Sequence, residues 1–452
     1  MQQATMHFPK DFLWGAATSS HQVEGNNTNN DWWEWEKEPG HILDGYRSEL
    51  ACDWWNRAEQ DFDLAREMGQ NAHRLSLEWS RIEPQEGEWD DDAIARYRRM
   101  LVGLRERGLE PMVTLHHFTN PLWLVEKGGW ETEAVVPLFE RYVNKVVEEL
   151  GDLVELWSVI NEPNVYAILS YAGDRWPPGK QNLPLAFRVL SNMLLAHGQA
   201  YRVIHRLQPH AKVGIAHAVR VFDPARPNSR LDRWAASLPD RIFNRLVLTA
   251  LTEGVLAFPL AFNRRVPELV DSLDFLGINY YTRDMVAFDA GRPGELFGRR
   301  FYAEGAEMSD GGYGEVYPEG LYRLLKRVAA YGKPIYITEN GLPDEDDDQR
   351  PRFLLTHLAA MHRAMQEGVS VKGYFHWSLV DNFEWAEGWT LRFGLIALNV
   401  ETQERTVRRS GQLYQEICQA NAITQDMIER YAPEVLDKLF SAQARDGRQS
   451  IA

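Results

Sequence analysis

Eight short runs rich in apolar and β-branched residues recur along these 452 residues, each parted from the next by a longer segment. They are FLWGAATSS (12–20), NAHRLSLEW (71–79), EPMVTLHHF (110–118), LVELWSVINE (153–162), AKVGIAHAV (211–219), SLDFLGINYY (272–281), KPIYITEN (333–340) and VKGYFHWSLV (371–380). The intervening stretches include DDAIARYRRMLVGLRERG (91–108) and VVPLFERYVNKVVEELGD (135–152), whose apolar residues return every three or four positions, as on one helix face. Strand and helix alternating about eight times predict an α/β chain folded as a single (β/α)8 TIM barrel with elaborated βα loops. Such barrels commonly reach this length without dividing.

Composition narrows the partners. There are 65 acidic and 49 basic residues, a net charge of −16, which opposes nucleic acid and anionic membrane surfaces. Cys52 and Cys418 are the only cysteines, too few for a disulfide framework or a metal cluster, so a reducing compartment is the simpler reading. The opening MQQATMHFPKDFLWG has no basic n-region followed by an apolar h-region, and no run of about 18 apolar residues follows elsewhere. The expectation is a soluble, cytoplasmic protein with neither nucleic acid nor membrane as partner. Sixteen tryptophans and seventeen tyrosines offer flat apolar faces of the kind that suit sugar rings.

The strand KPIYIT ends on a carboxylate, Glu339, before the turn pair Asn340-Gly341, and LWSVIN ends on Glu162 before Pro163. Charges are costly to bury, but a barrel collects its functional groups at the C-terminal ends of its strands. Reading each strand end gives Gln22, Arg74, His116 with His117, Asn161 with Glu162, Asn279 with Tyr281, Glu339 and Trp377, while the fifth strand offers only His217. Two glutamates across one pocket suit the hydrolysis of an acetal: one carboxyl protonates the leaving oxygen while the other attacks the anomeric carbon or activates water. Arg74 is the only cation at a strand end, so whichever glutamate it contacts is expected to be the nucleophile.

The chain resembles the family-one glycoside hydrolases, the β-glucosidase and β-glycosidase family, over about residues 8 to 420. The resemblance rests on FLWGAATSSHQVEG (12–25), NAHRLSLEWSRIEP (71–84), VTLHHFTNPLWL (113–124), NEPN (161–164), LGINYYT (276–282), YPEGLY (317–322), ITENG (337–341) and WSLVDNFEWAEGWTLRFGL (377–395). It implies that Glu162 is the acid/base and Glu339 the nucleophile, about 5 Å apart as retention of configuration requires. It implies that Arg74 and Tyr281 hold the nucleophile, with Asn161 and Asn279 in support. It assigns hydroxyl binding to Gln22, His117, Asn161, Glu384 and Trp385, and stacking under the sugar to Trp377. The implied activity is exo hydrolysis of terminal β-linked glucose, and also galactose or fucose, from small oligosaccharides or aryl and alkyl β-glycosides, with no cofactor and no metal. A 6-phospho-β-glycosidase and a transglycosidase are the alternatives. Phosphate-sugar relatives use Ser, Lys and Tyr where this chain has DNFEWAEGW, and a phosphate facing Glu384 would meet like charge.

Four positions depart from the family pattern. Val159 replaces a threonine and removes a hydroxyl near Glu162. Phe118 replaces a tryptophan yet keeps an aromatic wall, so it joins the substrate-binding set. Tyr313-Gly314 stands where a Gly-Trp pair is common. Residues 423–452 run past the usual family end, so the expected division is a catalytic domain over 1–422 and a C-terminal extension over 423–452. That extension reads as an amphipathic helix (Met427, Ile428, Tyr431, Val435, Leu436, Leu439 and Phe440 on its apolar face) packing on the barrel, then a frayed tail; a homo-oligomer contact is the alternative. Neighbouring histidines on a strand face opposite ways, so His117 is expected at the sugar, His116 in the packing, and no metal between them. Trp32, Trp33, Trp35, Trp54 and Trp55 are expected in packing, and DEDDDQR (344–350) as a solvated loop.

Overall fold

All eight apolar runs form parallel strands in the computed structural model, which describes residues 4–440. They are β1 (Leu13–Ala17), β2 (Ala72–Ser76), β3 (Glu110–His116), β4 (Leu156–Asn161), β5 (Lys212–Pro224), β6 (Phe275–Phe288), β7 (Ile335–Asn340) and β8 (Val371–Trp377). Each pairs in parallel with the next, and β8 returns to β1, with Phe375 opposite Gly15 and Trp377 opposite Ala17, so the sheet closes as a barrel. Helices α1 (Trp54–Glu67), α2 (Asp91–Glu106), α3 (Val135–Leu150), α4 (Leu183–Leu207), α5 (Leu246–Glu253), α6 (Pro318–Val328), α7 (Arg350–Gln366) and α8 (Arg409–Ala420) follow the strands in turn. Local chemistry sets their starts. Asp90 accepts the Ala93 amide at 2.8 Å to cap α2, and Asn182 accepts the Leu185 amide at 3.1 Å to cap α4.

Two apolar layers result. The larger lies between strands and helices and takes Ile335 and Ile337 from β7 with Leu354 and Leu358 from α7. The smaller fills the barrel interior, where Ala72, Met112, Leu156, Phe275 and Phe375 meet beneath Trp377. Burying each large aliphatic side chain contributes about 1.5–3 kcal/mol, so this interior is a packed plug on which a polar site can be built.

Beyond the barrel, Thr5–His7 pairs antiparallel with Ala422–Thr424. The sequence expectation of one continuous helix after 423 is corrected here. A helix over Gln425–Tyr431 stops before Pro433, which lacks the amide a helix interior needs, and a 3₁₀ turn at Pro433–Val435 leads into one α turn at Leu436–Leu439. Met427, Ile428, Val435 and Phe440 pack into the main core, while Tyr431, Leu436 and Leu439 lie at its edge. The expected frayed tail from 441 lies outside the described residues. The acidic run 344–350 is only partly solvated. Asp344 and Asp347 are buried, and Arg350, itself buried, pairs with Asp347. Among the described residues no helix is long and apolar enough to cross a membrane.

Candidate active site

Strict alternation along β7 would send Glu339 outward with Ile335 and Ile337. The pairing with β6 instead slips between Ile337 and Glu339, and the extra residue turns the carboxylate into the barrel mouth. The same thing happens on β4. Trp157 and Val159 face the outer core, and a slip against β5 between Ser158 and Asn161 brings Asn161 inward. Glu162 follows in the left-handed region (φ 42°, ψ 57°), its amide donating to the Ala216 carbonyl at 2.7 Å, and Pro163 then opens a short helix. A non-glycine residue held there costs on the order of 1 kcal/mol, and Phe118 (φ 72°) and Trp385 (φ 50°) on the same cavity are held likewise.

Arg74 organises the floor. Its side chain is fully buried and uses all three nitrogens: Nε donates to Thr114 Oγ1 at 3.1 Å, Nη1 to Glu339 Oε1 at 2.5 Å, and Nη2 to Asn161 Oδ1 at 2.7 Å. The Tyr281 hydroxyl donates to the other oxygen of Glu339 at 2.7 Å. Both oxygens of that carboxylate are therefore fixed, one by a full positive charge. Glu162 is treated differently. Among the described residues its Oε1 accepts only from Asn279 Nδ2, at 2.9 Å, and the Thr338 hydroxyl orients Asn279 by donating to its Oδ1 at 2.6 Å. Burial, with the negative charge of Glu339 nearby, pushes the Glu162 carboxyl up to about 8.

A cavity of about 280 Å³ opens above these groups, at the small end for ligand pockets. Its walls include His117, Phe118, Trp377, Glu384 and Trp385 beside the two glutamates, Asn161, Asn279 and Tyr281. Asn161 Nδ2 lies 3.2 Å from His117 Nε2, and burial with Arg74 nearby pushes His117 well below the usual histidine range. A neutral ring accepting at Nε2 carries its proton on Nδ1, a buried atom with no protein partner among the described residues. Glu384 is raised to about 8 by burial and by Glu339, and Gln22 Nε2 donates to it at 3.2 Å.

Most of the residues singled out in the sequence converge on this cavity. Arg74 and Gln22 do not line it: both are fully buried, Arg74 beneath Glu339 and Gln22 behind Glu384. His116 packs against Trp130 and Tyr166, and His217 is buried against the Asn244 carbonyl. Val159 also faces away, so the hydroxyl expected to be missing beside Glu162 would have lain in the outer core. Trp32, Trp33, Trp35, Trp54 and Trp55 are off the wall, with Trp32 supporting Trp385 from behind at 4.7 Å. Sequence reading missed Arg175, Trp176, Arg220, Phe243 and Glu387 on the same cavity. The signal for Arg220 lay in HAVRVFD, which carries the β5 pattern past His217; Arg175 and Trp176 sit in a loop with no periodicity to mark them.

A closed (β/α)8 barrel with two glutamates at its mouth, one beside an arginine and one in a less polar setting, defines a glycoside hydrolase. The chain belongs to glycosyl hydrolase family 1, whose profile matches residues 4–423. It is 34% identical over 443 residues to β-glucosidase A of Thermotoga maritima, covering 92% of this chain and 98% of that one. It is 32% identical to a β-galactosidase of Pyrococcus woesei, covering 93% and 99%. Among solved structures, the β-glycosidase from Pyrococcus horikoshii superposes with a TM-score of 0.88 at 40% identity, covering 94% of this chain and 98% of that one. The Thermotoga maritima β-glucosidase in complex with glucoimidazole superposes at 0.87 and 33%, covering 92% and 99%.

Proposed function

We propose that this enzyme is a retaining exo-β-D-glycosidase that removes a terminal non-reducing β-linked sugar, glucose above all and also galactose or fucose, through a covalent glycosyl-enzyme. The observation that carries the reading is the unequal treatment of the two carboxyls: Glu339 holds Arg74 and Tyr281, whereas Glu162 has one neutral donor and a raised affinity for its proton. In the first step a Glu339 oxygen bonds to the anomeric carbon as the bond to the leaving oxygen breaks, and Glu162 delivers its proton to that oxygen. In the second step Glu162, now ionised, takes a proton from water, whose oxygen displaces Glu339 from the sugar and restores both groups. His117, Asn161 and Glu384 line the cavity as partners for sugar hydroxyls, and Trp377, 3% exposed, offers a flat face. The relatives named β-glucosidase and β-galactosidase support the breadth in sugar. The segment that carries Glu384, DNFEWAEGW, holds no lysine or arginine to pair with a phosphate, which argues against phosphate-sugar substrates.

The test is a 2-deoxy-2-fluoro-β-glucoside with a good leaving group, followed by peptide mass mapping. The expected result is one fluoroglucosyl group per chain, on the peptide carrying Glu339. Stoichiometric labelling elsewhere, or hydrolysis with inversion of configuration, would overturn the proposal.

A further inference from the structure

On the wall away from the sugar-binding indoles, β5 places Arg220, with its side chain 32% exposed. Its guanidinium meets Asp284 through one nitrogen only: Nη1 lies 3.1 and 3.4 Å from the two carboxylate oxygens. Nε and Nη2 have no protein partner among the described residues, so the paired-donor edge of the fork is open. Asp284 does not neutralise Arg220 alone, because Arg300 Nη1 also lies 4.0 Å from the same carboxylate. Two guanidiniums share one carboxylate, so Arg220 at the cavity wall is only partly neutralised. Arg175, on the same cavity, is matched by Glu387. The same cavity also carries apolar and aromatic side chains, Val165, Leu169, Phe243 and Tyr313.

Building on the glycosidase reading above, we propose that Arg220 selects the leaving group, and that the preferred substrates are aryl β-glycosides whose aromatic ring bears a carboxylate. The phenyl body packs on Val165, Leu169 and Phe243, and the open Nε–Nη2 edge receives the carboxylate oxygens in parallel. A planar fork matches a carboxylate in this way, whereas an amide or an ester cannot supply two anionic acceptors. The site is half-enclosed by apolar walls, which strengthens the attraction over its value in open water.

The experiment compares 4-carboxyphenyl with 4-carbamoylphenyl β-D-glucoside on the full chain. The carboxylate is the poorer leaving group of the two, so intrinsic reactivity runs against the expected order. Wild type is expected to favour the carboxylate by about tenfold in kcat/KM, mostly through KM, as for a partly desolvated ion pair. In R220Q the ratio falls to about one, and R220K, which keeps the charge without the fork, falls between. Should R220Q fail to fold, as judged by its melting curve, the wild-type ratio measured up to about 0.5 M salt decides, because an ion-pair preference must shrink as charges are screened. A wild-type ratio at or below one, a ratio unchanged in R220Q, or a salt-independent ratio overturns the proposal. Hydrolysis of neither glucoside overturns the glycosidase reading and this one with it.

Discussion

Glu162 and Glu339 carry the same side chain, and their surroundings make them different reagents. On the proposed mechanism, replacing Glu339 by alanine removes the attacking oxygen and is expected to reduce turnover by at least about 10⁴-fold, with added azide restoring part of it as the inverted glycosyl azide. Failure of azide to give an inverted product would reassign the nucleophile. Glu162 must hold a proton to act, and burial with Glu339 nearby lifts its carboxyl to about 8, so the alkaline limb of kcat/KM should fall through that region. In E162Q that limb should disappear for activated aryl glycosides, which need no proton, while unactivated alkyl glycosides lose about 10²–10⁴-fold. Equal losses on both kinds of substrate would refute the assignment. The sequence displayed both glutamates through the turn chemistry after them, Pro163 and Asn340-Gly341, and displayed Arg74 as the only strand-end cation. It did not show which glutamate Arg74 meets. That contact spans 265 positions and depends on how β7 and β2, parted by β8 and β1 in the closed barrel, face each other.

At the level of the strand, two slips in pairing aim the site. Glu339 would share a face with Ile335 and Ile337, and Asn161 with Trp157 and Val159, were it not for the bulges in β7 and β4. The strands themselves were legible because their apolar runs and breaks recur; the bulges were not, because nothing in YITEN or SVIN marks an extra residue until neighbouring strands fix the register. The turn after β7 is equally constrained. A Cβ on Gly341 would sit 2.0 Å from the Trp377 carbonyl oxygen, a backbone atom that cannot swing aside. G341A is therefore expected to cost about 2–4 kcal/mol in denaturant unfolding and to lower kcat by separating the ends of β7 and β8. Unchanged stability and kcat would show that the two strand ends move independently. The long β5 is a related case: it was read as ending near His217, and the cavity uses what lies beyond.

For the molecule as a whole, the site is held at some cost to stability. The Glu162 carboxyl binds its proton more tightly folded, at about 8, than unfolded, at 4.5, so ionisation penalises the folded state as pH rises between those values and in full above the higher one. E162Q lacks that ionisation. Its melting temperature relative to wild type should therefore rise from pH 5 to pH 9, and a difference independent of pH would mean that Glu162 titrates near its ordinary value. The barrel and its single-chain closure were legible from the eightfold pattern, whereas the clasp between Thr5–His7 and Ala422–Thr424 was not, since strands of three residues carry almost no periodicity. Truncation after Asn421 removes that pairing together with buried Ile423, Met427 and Ile428, and should lower the melting temperature by more than about 5 °C. An unchanged value would show the clasp to be idle. The clasp also bears on how the protein is made. As the chain leaves the ribosome, its first strand must wait for a partner near the far end, and β1 keeps one edge bare until β8 appears. Nascent chains stalled before that point would present an open, apolar sheet margin, and it is there that chaperones or self-association should act.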